Sequence, residues 1–181
     1  MTADRTLPVH PVEADLTAVG ESWMLTFERT LRHPIAVVWS AITDAGQLRR
    51  WAPFVPSRNL DSVGAVALTM LDGANETEPV VDGNVTASAE TRLLVLLWGD
   101  DELRFTLEPD GEHTRLTFTH SFAAREEAAS YAAGWHLCLA ALMGIVQGQD
   151  VPPVAGNAAF DQGWEGLSTQ YGRMFGPHHP D

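Results

Sequence analysis

The sequence predicts an α+β fold in which a curved antiparallel β-sheet wraps around a long C-terminal α-helix, with two short helices after the first strand. Two observations predict it. Residues 63–122 show strand-like alternation interrupted by turn residues, and residues 125–148 form one long apolar segment with helical periodicity. A sheet with one polar and one apolar face needs a cover, and the long helix can supply it.

The composition limits the possible partners. The 181 residues carry 11 Lys and Arg against 24 Asp and Glu, a net charge of −13. This charge repels phosphate backbones and anionic surfaces, so we expect no nucleic-acid partner and no membrane partner. One cysteine excludes an internal disulfide, the N-terminus lacks a secretory signal, and no uninterrupted run approaches the roughly 18 apolar residues of a membrane span. We therefore expect a cytoplasmic location.

The first elements follow from local patterns. Residues 21–31 alternate apolar and polar side chains, as a strand does, whereas residues 33–43 show the spacing of a short helix. A second short helix ends near Trp51, with Thr43 or Asp44 as its N-cap. Both helices precede the strands of the main sheet.

Turn motifs divide the following region into strands. An acidic turn at residues 100–102 is interpreted as a solvated hairpin, and the proline-rich residues 52–59 predict a loop. The predicted turns are Asp72-Gly73, Asp82-Gly83, Gly99-Asp100-Asp101 and Asp110-Gly111.

The chain shows no internal repeat or linker, so we divide it into three segments. Residues 1–20 form a partly ordered lead-in, and residues 21–149 form the domain. Residues 150–181 form a C-terminal extension, in which residues 164–175 are expected to pack on the domain as a short helix.

The apolar face of the predicted sheet carries aromatic side chains that would meet the long helix. Aromatic walls with one or two polar groups are typical of a small-molecule pocket, and a plain core shows the same pattern. At about 100° per residue, Tyr131, Leu139 and Leu142 share the helix face of Trp135. The predicted ligand-binding residues are Trp51, Phe54, Leu96, Trp98, Phe105, Phe118, His120, Tyr131, Trp135, Leu139 and Leu142.

Metal binding is not expected. The seven histidines are scattered and form no HExxH motif, so we assign no metal and no cofactor. His136 and Cys138 diverge by about 160° around the helix and cannot share an ion. His136 is expected to bond the C-terminal tail or a loop, and Cys138 to act as a small core hydrophobe. His178 and His179 belong to an exposed tail.

His120 is the titratable residue of greatest interest, because its strand phase places it on the apolar face with Phe118. It either orients a ligand or acts as an acid or base near neutral pH, or it is a core histidine held by a backbone carbonyl or by a neighbour across the sheet end. There is no GxSxG motif, and Ser121 points away from His120, so no catalytic residue is assigned.

Three segments, in this order, resemble the SRPBCC or START-like helix-grip superfamily: FERTLRHPIAVVWSAITDAGQLRRWAPF, ETRLLVLLWGDDELRFTLEPDGEHTRLTFTHSF and AAGWHLCLAAL. The closer match is to the branch similar to the C-terminal domain of the activator of the 90-kDa heat-shock protein ATPase, found in bacterial single-domain proteins. The resemblance covers roughly residues 21–149. It implies a helix-grip fold with a deep cavity between the sheet and the long helix, which holds apolar or amphipathic small molecules such as lipids.

The leading interpretation is a non-catalytic binding protein that holds an apolar or aromatic small molecule in this cavity. Two alternatives remain open: an enzyme similar to polyketide cyclases or dehydratases, in which His120 or Tyr131 moves a proton, and an interaction module that activates a chaperone ATPase. The chain has no room for the chaperone-binding N-terminal domain of the eukaryotic activator, which argues against a chaperone partner. A homodimer through an edge strand or the tail is compatible with the fold.

Overall fold

The computed structural model of this chain describes residues 5–71 and 79–177 and has the predicted architecture, a curved antiparallel sheet around one long helix. The eight strands follow the order β1-β2-β8-β7-β6-β5-β4-β3, and all neighbours are antiparallel. The α+β helix-grip prediction is therefore confirmed. The elements are β1 (Asp15–Val19), β2 (Ser22–Leu31), α1 (Ile35–Thr43), α2 (Ala45–Trp51), β3 (Phe54–Pro56), β4 (Gly64–Met70), β5 (Val80–Ala89), β6 (Leu93–Trp98), β7 (Asp101–Asp110), β8 (His113–Phe122), a 3-10 turn (Arg125–Glu127), α3 (Ala128–Val146), α4 (Ala158–Asp161) and α5 (Trp164–Phe175).

The two short helices carry the chain from β2 to the opposite edge of the sheet, where β3 and β4 lie. Asp44 caps α2, since its side chain accepts a hydrogen bond from the Gln47 amide at 3.0 Å. The Trp51 indole N–H donates to the Ala41 carbonyl at 2.9 Å, and the Trp51 side chain is buried. This bond ties α2 to α1 and satisfies the one polar atom of a large core side chain.

The predicted turn at Asp82-Gly83 is wrong, because both residues lie inside β5. Gly83 pairs with Val66 on one side and Trp98 on the other. A Cβ atom at Gly83 would lie 2.8 Å from Leu68 Cδ1, so glycine here permits a close approach within the sheet and not a change of direction. The chain turns instead after Ala89, where Thr91 adopts the left-handed conformation with φ of 61°.

Two strands lie where none was predicted. β1 falls within residues 1–20, and β3 falls within the predicted loop at residues 52–59. They are the two edge strands, and β1 is largely exposed, so its sequence shows no regular alternation of buried and exposed positions. The predicted turn at Asp72-Gly73 and the tail residues His178 and His179 lie outside the described residues.

α3 fills the concave face of the sheet. Of its 19 residues, 14 are buried, so it has no wholly exposed side. By length and composition alone, the helical segment Arg125–Val146 could cross a membrane, with a mean hydropathy of 1.5 in the relevant window. In the structure 72% of that window is buried inside the protein, as in the core helix of a globular domain.

α5 docks on α3 through a buried hydrogen bond. His136 Nδ1 lies 2.9 Å from the Tyr171 hydroxyl oxygen, and both side chains are buried. The expected bond between His136 and the C-terminal tail is therefore present. Burial, together with the nearby charges of Arg29 and His10, lowers the pKa of His136 to about 4, so the ring is neutral at pH 7.

Replacement of Gly144 by alanine is expected to destabilise the fold by about 1–3 kcal/mol, because the added Cβ atom would lie 2.5 Å from Val151 Cγ1. Gly134→Ala is the matched control in the same helix. Nothing lies within 4 Å of a Cβ atom at Gly134, so alanine should stabilise α3 by up to roughly 1 kcal/mol through its helix propensity. Urea unfolding measures both effects, and shifts of the same sign would contradict the packing of Gly144.

Acidification is expected to destabilise the protein through His136. The folded-state pKa of about 4 lies below the ordinary value of 6.5, so the unfolded chain takes up the proton first. The contribution of neutral His136 is complete above pH 6.5 and is lost as the pH falls towards 4, a change on the order of 3 kcal/mol. Urea unfolding at several pH values should show a flatter profile for His136→Gln, and an unchanged profile would assign the loss to other groups.

Candidate functional site

A pocket of about 400 Å³ lies between α3 and the C-terminal extension, and we name it the α3 pocket. One face of α3 forms its floor, from Ser130 to Cys138. Pro53 and Trp98 close the end nearest the sheet, and the extension forms the opposite wall over residues 154–164. The walls are mainly apolar and aromatic, as is usual for small-molecule sites.

Three of the predicted site residues line the α3 pocket, namely Trp98, Tyr131 and Trp135. The other apolar ones are buried in the core and are not part of its lining. Their rings pack in series: the ring centroids of Phe105 and Phe118 are 4.8 Å apart, and those of Phe118 and Trp135 are 4.5 Å apart. At these positions the side chains of the sheet and of α3 fill the space with one another. The seven core residues are Trp51, Phe54, Leu96, Phe105, Phe118, Leu139 and Leu142.

Several lining residues were not predicted. Gly134 and Cys138 lie on the flank of α3, about 100° and 60° from Trp135, so the helix phase alone could have placed them beside it. Phe160 and Trp164 come from the extension and pack edge-to-face with centroids 5.5 Å apart. Their only signal in the sequence is a spacing of four residues, which does not show what they pack against.

Asp101, His120 and Trp135 form a hydrogen-bonded chain directly behind the pocket wall. The Trp135 indole N–H donates to His120 Nδ1 at 3.0 Å, and His120 Nε2 lies 2.7 Å from Asp101 Oδ2. An indole N–H can only donate, so Nδ1 is the acceptor and Nε2 carries the proton that faces Asp101. The His120 side chain is fully buried, and the centroids of the His120 and Tyr131 rings are 4.5 Å apart.

The interpretation of Asp101 as part of a solvated hairpin is wrong. Asp101 begins β7, and strand alternation places it on the same concave face as Leu103, which pairs with His120. Its side chain is only 23% exposed. A carboxylate at the rim of the sheet thus becomes the partner of a buried histidine.

The chain of hydrogen bonds leaves His120 with no free ring nitrogen. Nδ1 accepts the bond from the Trp135 indole, and Nε2 faces Asp101 Oδ2. The geometry supports a core histidine over an acid, a base or a ligand-orienting group, and its partners are two side chains. Among the described residues, no group of three His, Cys, Asp or Glu side chains is placed to hold a metal ion.

Two ionisable side chains line the α3 pocket, and both are neutral at pH 7. Burial raises the pKa of the Cys138 thiol to about 12, so the thiolate needed for reaction does not form. Burial, together with the nearby carboxylates of Asp101 and Glu127, raises the pKa of the Tyr131 phenol. Tyr131 can therefore donate a hydrogen bond to a bound molecule but does not present a charge.

Removal of the Asp101 carboxylate should destabilise the fold in a graded way. Asp101→Ala leaves the buried Nε2–H of His120 without a partner, at a cost of about 1–3 kcal/mol, whereas Asp101→Asn keeps an acceptor and should cost less. Urea unfolding measures the series. Nitrogen-15 NMR of the ring identifies the tautomer, and a proton on Nδ1 in the unsubstituted protein would contradict the hydrogen-bonded chain.

Comparisons of structure give the same fold. A Bordetella parapertussis protein, encoded by gene BPP1335, is 25% identical, covers 97% of this chain and 98% of its own, and has a TM-score of 0.66. CalU16 from Micromonospora echinospora is 15% identical, covers 91% of this chain and 98% of its own, and has a TM-score of 0.66. DynU16, from the dynemicin biosynthetic locus, is 22% identical with a TM-score of 0.59. The match covers 70% of this chain but only 48% of DynU16.

The sequence comparison identifies the family. No curated protein matches the chain. The family described as "Activator of Hsp90 ATPase homolog 1-like protein" matches residues 32–147, which run from the end of β2 to the end of α3 and include most of the sheet. This segment is more than half of the 181 residues, and the chain therefore belongs to the family of activator of Hsp90 ATPase homolog 1-like proteins.

Proposed function

We propose that this protein binds a neutral apolar or aromatic small molecule in the α3 pocket and has no catalysis of its own. The observation that carries the proposal is a pocket of about 400 Å³ walled by aromatic side chains, a volume within the usual range for small-molecule sites. The ligand then lies on the flank of α3 that faces the extension. The side that faces the sheet is the one where Phe105 and Phe118 are packed together.

The pocket favours a flat, uncharged ligand. Trp98, Tyr131 and Trp135 offer ring faces and edges, and aromatic ligands pack well against such walls. Hydrogen bonds are available from the Tyr131 hydroxyl and from Ser130 and Asn157. The net charge of −13 disfavours an anionic ligand at this site.

The comparisons support the choice of ligand class. Members of this fold family generally hold small hydrophobic ligands. DynU16 comes from a biosynthetic locus, which makes apolar biosynthetic intermediates the first class to test. A cytoplasmic location agrees with the single buried cysteine and with the charge. The hydrogen bonds of His120 favour this binding role over a cyclase-type mechanism, which needs a group free to move a proton.

Filling the pocket should abolish binding. Gly134 lines the α3 pocket with open space around its Cα, so Gly134→Leu places a side chain in the ligand volume and should weaken binding by tenfold or more. Gly166→Leu is the matched control, because Gly166 lies on α5 with open space around it and does not line the pocket. Native mass spectrometry and thermal shift with two neutral probes, 1-naphthol and 1-dodecanol, provide the measurement.

A saturable rise in Tm with 1-naphthol that Gly134→Leu removes and Gly166→Leu retains is the expected result. Equal binding by the two variants would place the ligand elsewhere. A protein that binds neither probe, and none of a panel of fused-ring compounds, would overturn the proposed function.

A further inference from the structure

A second candidate site surrounds Arg29, on the concave face of β2 and away from the α3 pocket. The Arg29 side chain is buried, with a relative exposure of 8%. Its Nη1 donates to the Glu28 carbonyl oxygen at 2.9 Å, whereas Nε and Nη2 are buried and make no hydrogen bond of normal geometry within the described part of the chain. Burial lowers the pKa of Arg29, and the nearby Tyr171 hydroxyl and Glu13 carboxylate raise it, so both lie close to the guanidinium without closing its free edge. No described carboxylate lies within 4.0 Å of this guanidinium.

The two unused donors have a specific chemical meaning. Nε–H and Nη2–H lie on one edge of the guanidinium, the edge that binds both oxygens of a carboxylate in parallel. A buried cation without a counter-ion is unfavourable, so this edge favours an anion strongly. The bond from Nη1 and the Phe27 ring, whose centroid is 5.5 Å from Cζ, fix the plane of the group. Burial, together with the nearby charge of Arg29, lowers the pKa of His10, and His10 Nε2 is also buried without a hydrogen-bond partner among the described residues.

Arg29 lines a pocket of about 630 Å³ between β1, β2 and the end of α5, which we name the β2 pocket. Leu16, Trp23 and Phe175 give it an apolar wall. Arg125 adds a second cation, stacked over Trp23 with Cζ 5.1 Å from the ring centroid. The pocket therefore combines a carboxylate-binding edge with an apolar surface.

The rim of the β2 pocket selects among anions. Glu13, Asp15 and Glu28 also line it, and their charges oppose a doubly charged anion more than a singly charged one. His10 and Glu13 belong to the segment before β1, which forms no helix or strand. A small displacement of this segment would expose the free edge of Arg29 to the pocket without breaking a hydrogen bond of the sheet.

From these features we propose that Arg29 anchors a binding site for a monocarboxylate small molecule, whose carboxylate takes the Nε and Nη2 edge and whose apolar part extends along the pocket wall towards Phe175. This site is independent of the neutral ligand of the α3 pocket. It gives the protein two ligand sites of different chemistry, one at each end of the extension's helix α5.

NMR of the Arg29 Nε–Hε group tests the proposal directly, with benzoate, hexanoate and inorganic phosphate titrated at constant ionic strength. Benzoate and hexanoate should each produce a saturable shift, with phosphate weaker. Arg29→Met should weaken carboxylate binding by roughly tenfold or more, and Arg29→Lys, which keeps the charge but loses the two-donor edge, should also weaken it. Arg92→Met, at an exposed arginine outside the β2 pocket, is the matched control and should bind normally.

Three results would overturn the proposal. The first is no saturable shift with either carboxylate, and the second is phosphate binding as tight as benzoate, which would indicate a general anion site. The third comes from Glu13→Gln: a loss of stability equal to that of Arg29→Met would show that Glu13 is the internal partner of Arg29. The expected result for Glu13→Gln is carboxylate binding that is unchanged or tighter, because a rim charge has been removed.

Discussion

The structure depends on a helix that is apolar around almost its whole circumference. A helix of this kind must be buried on every side, and one sheet can cover only one side. α3 therefore needs the C-terminal extension as a second cover, and α5 supplies it through the bond between His136 and Tyr171. The cover is complete along the flank of His136 but leaves the flank of Gly134 and Cys138 open as the α3 pocket. The candidate ligand site therefore exists because the C-terminal extension packs on one flank of α3 and leaves a gap over the other.

The elements that the sequence predicts well are those whose burial pattern extends over many residues. β2, β7 and β8 alternate between buried and exposed positions, and α3 is buried along almost its whole length, so one mistaken residue does not hide the pattern. The failures occur where a single residue has two uses. An Asp-Gly pair can form a turn, or its glycine can lie within a strand where a neighbouring side chain leaves no room for a Cβ atom. For Gly83 the second applies, because Leu68 lies against it. Asp101 sits in an acidic run typical of a surface. Only strand alternation, which places it on the same face as Leu103 opposite His120, shows that it faces inward.

The buried polar groups explain why site chemistry was harder to predict than the fold. His120 and His136 have partners 15 and 35 residues away in the chain, Trp135 and Tyr171, which no local pattern connects. Both ring nitrogens of His120, and Nδ1 of His136, have partners within the protein, so these bonds stabilise the packing of α3. Arg29 is different, since it has been buried to the same degree and keeps two unused donors. This contrast is the reason for proposing a structural role for the two histidines and a binding role for Arg29.

Both candidate sites lie at the limits of the segment that matches the family. That segment, residues 32–147, supplies the floor of the α3 pocket but not its outer wall at residues 154–164, and it contains neither Arg29 nor the rest of the β1 and β2 lining of the β2 pocket. A shared core can therefore be kept while the flanking residues set size, charge and hydrogen bonding. A fold alone does not determine function, so the ligand preference proposed for this chain depends on these flanks, and structural neighbours below 25% identity are guides to the core only.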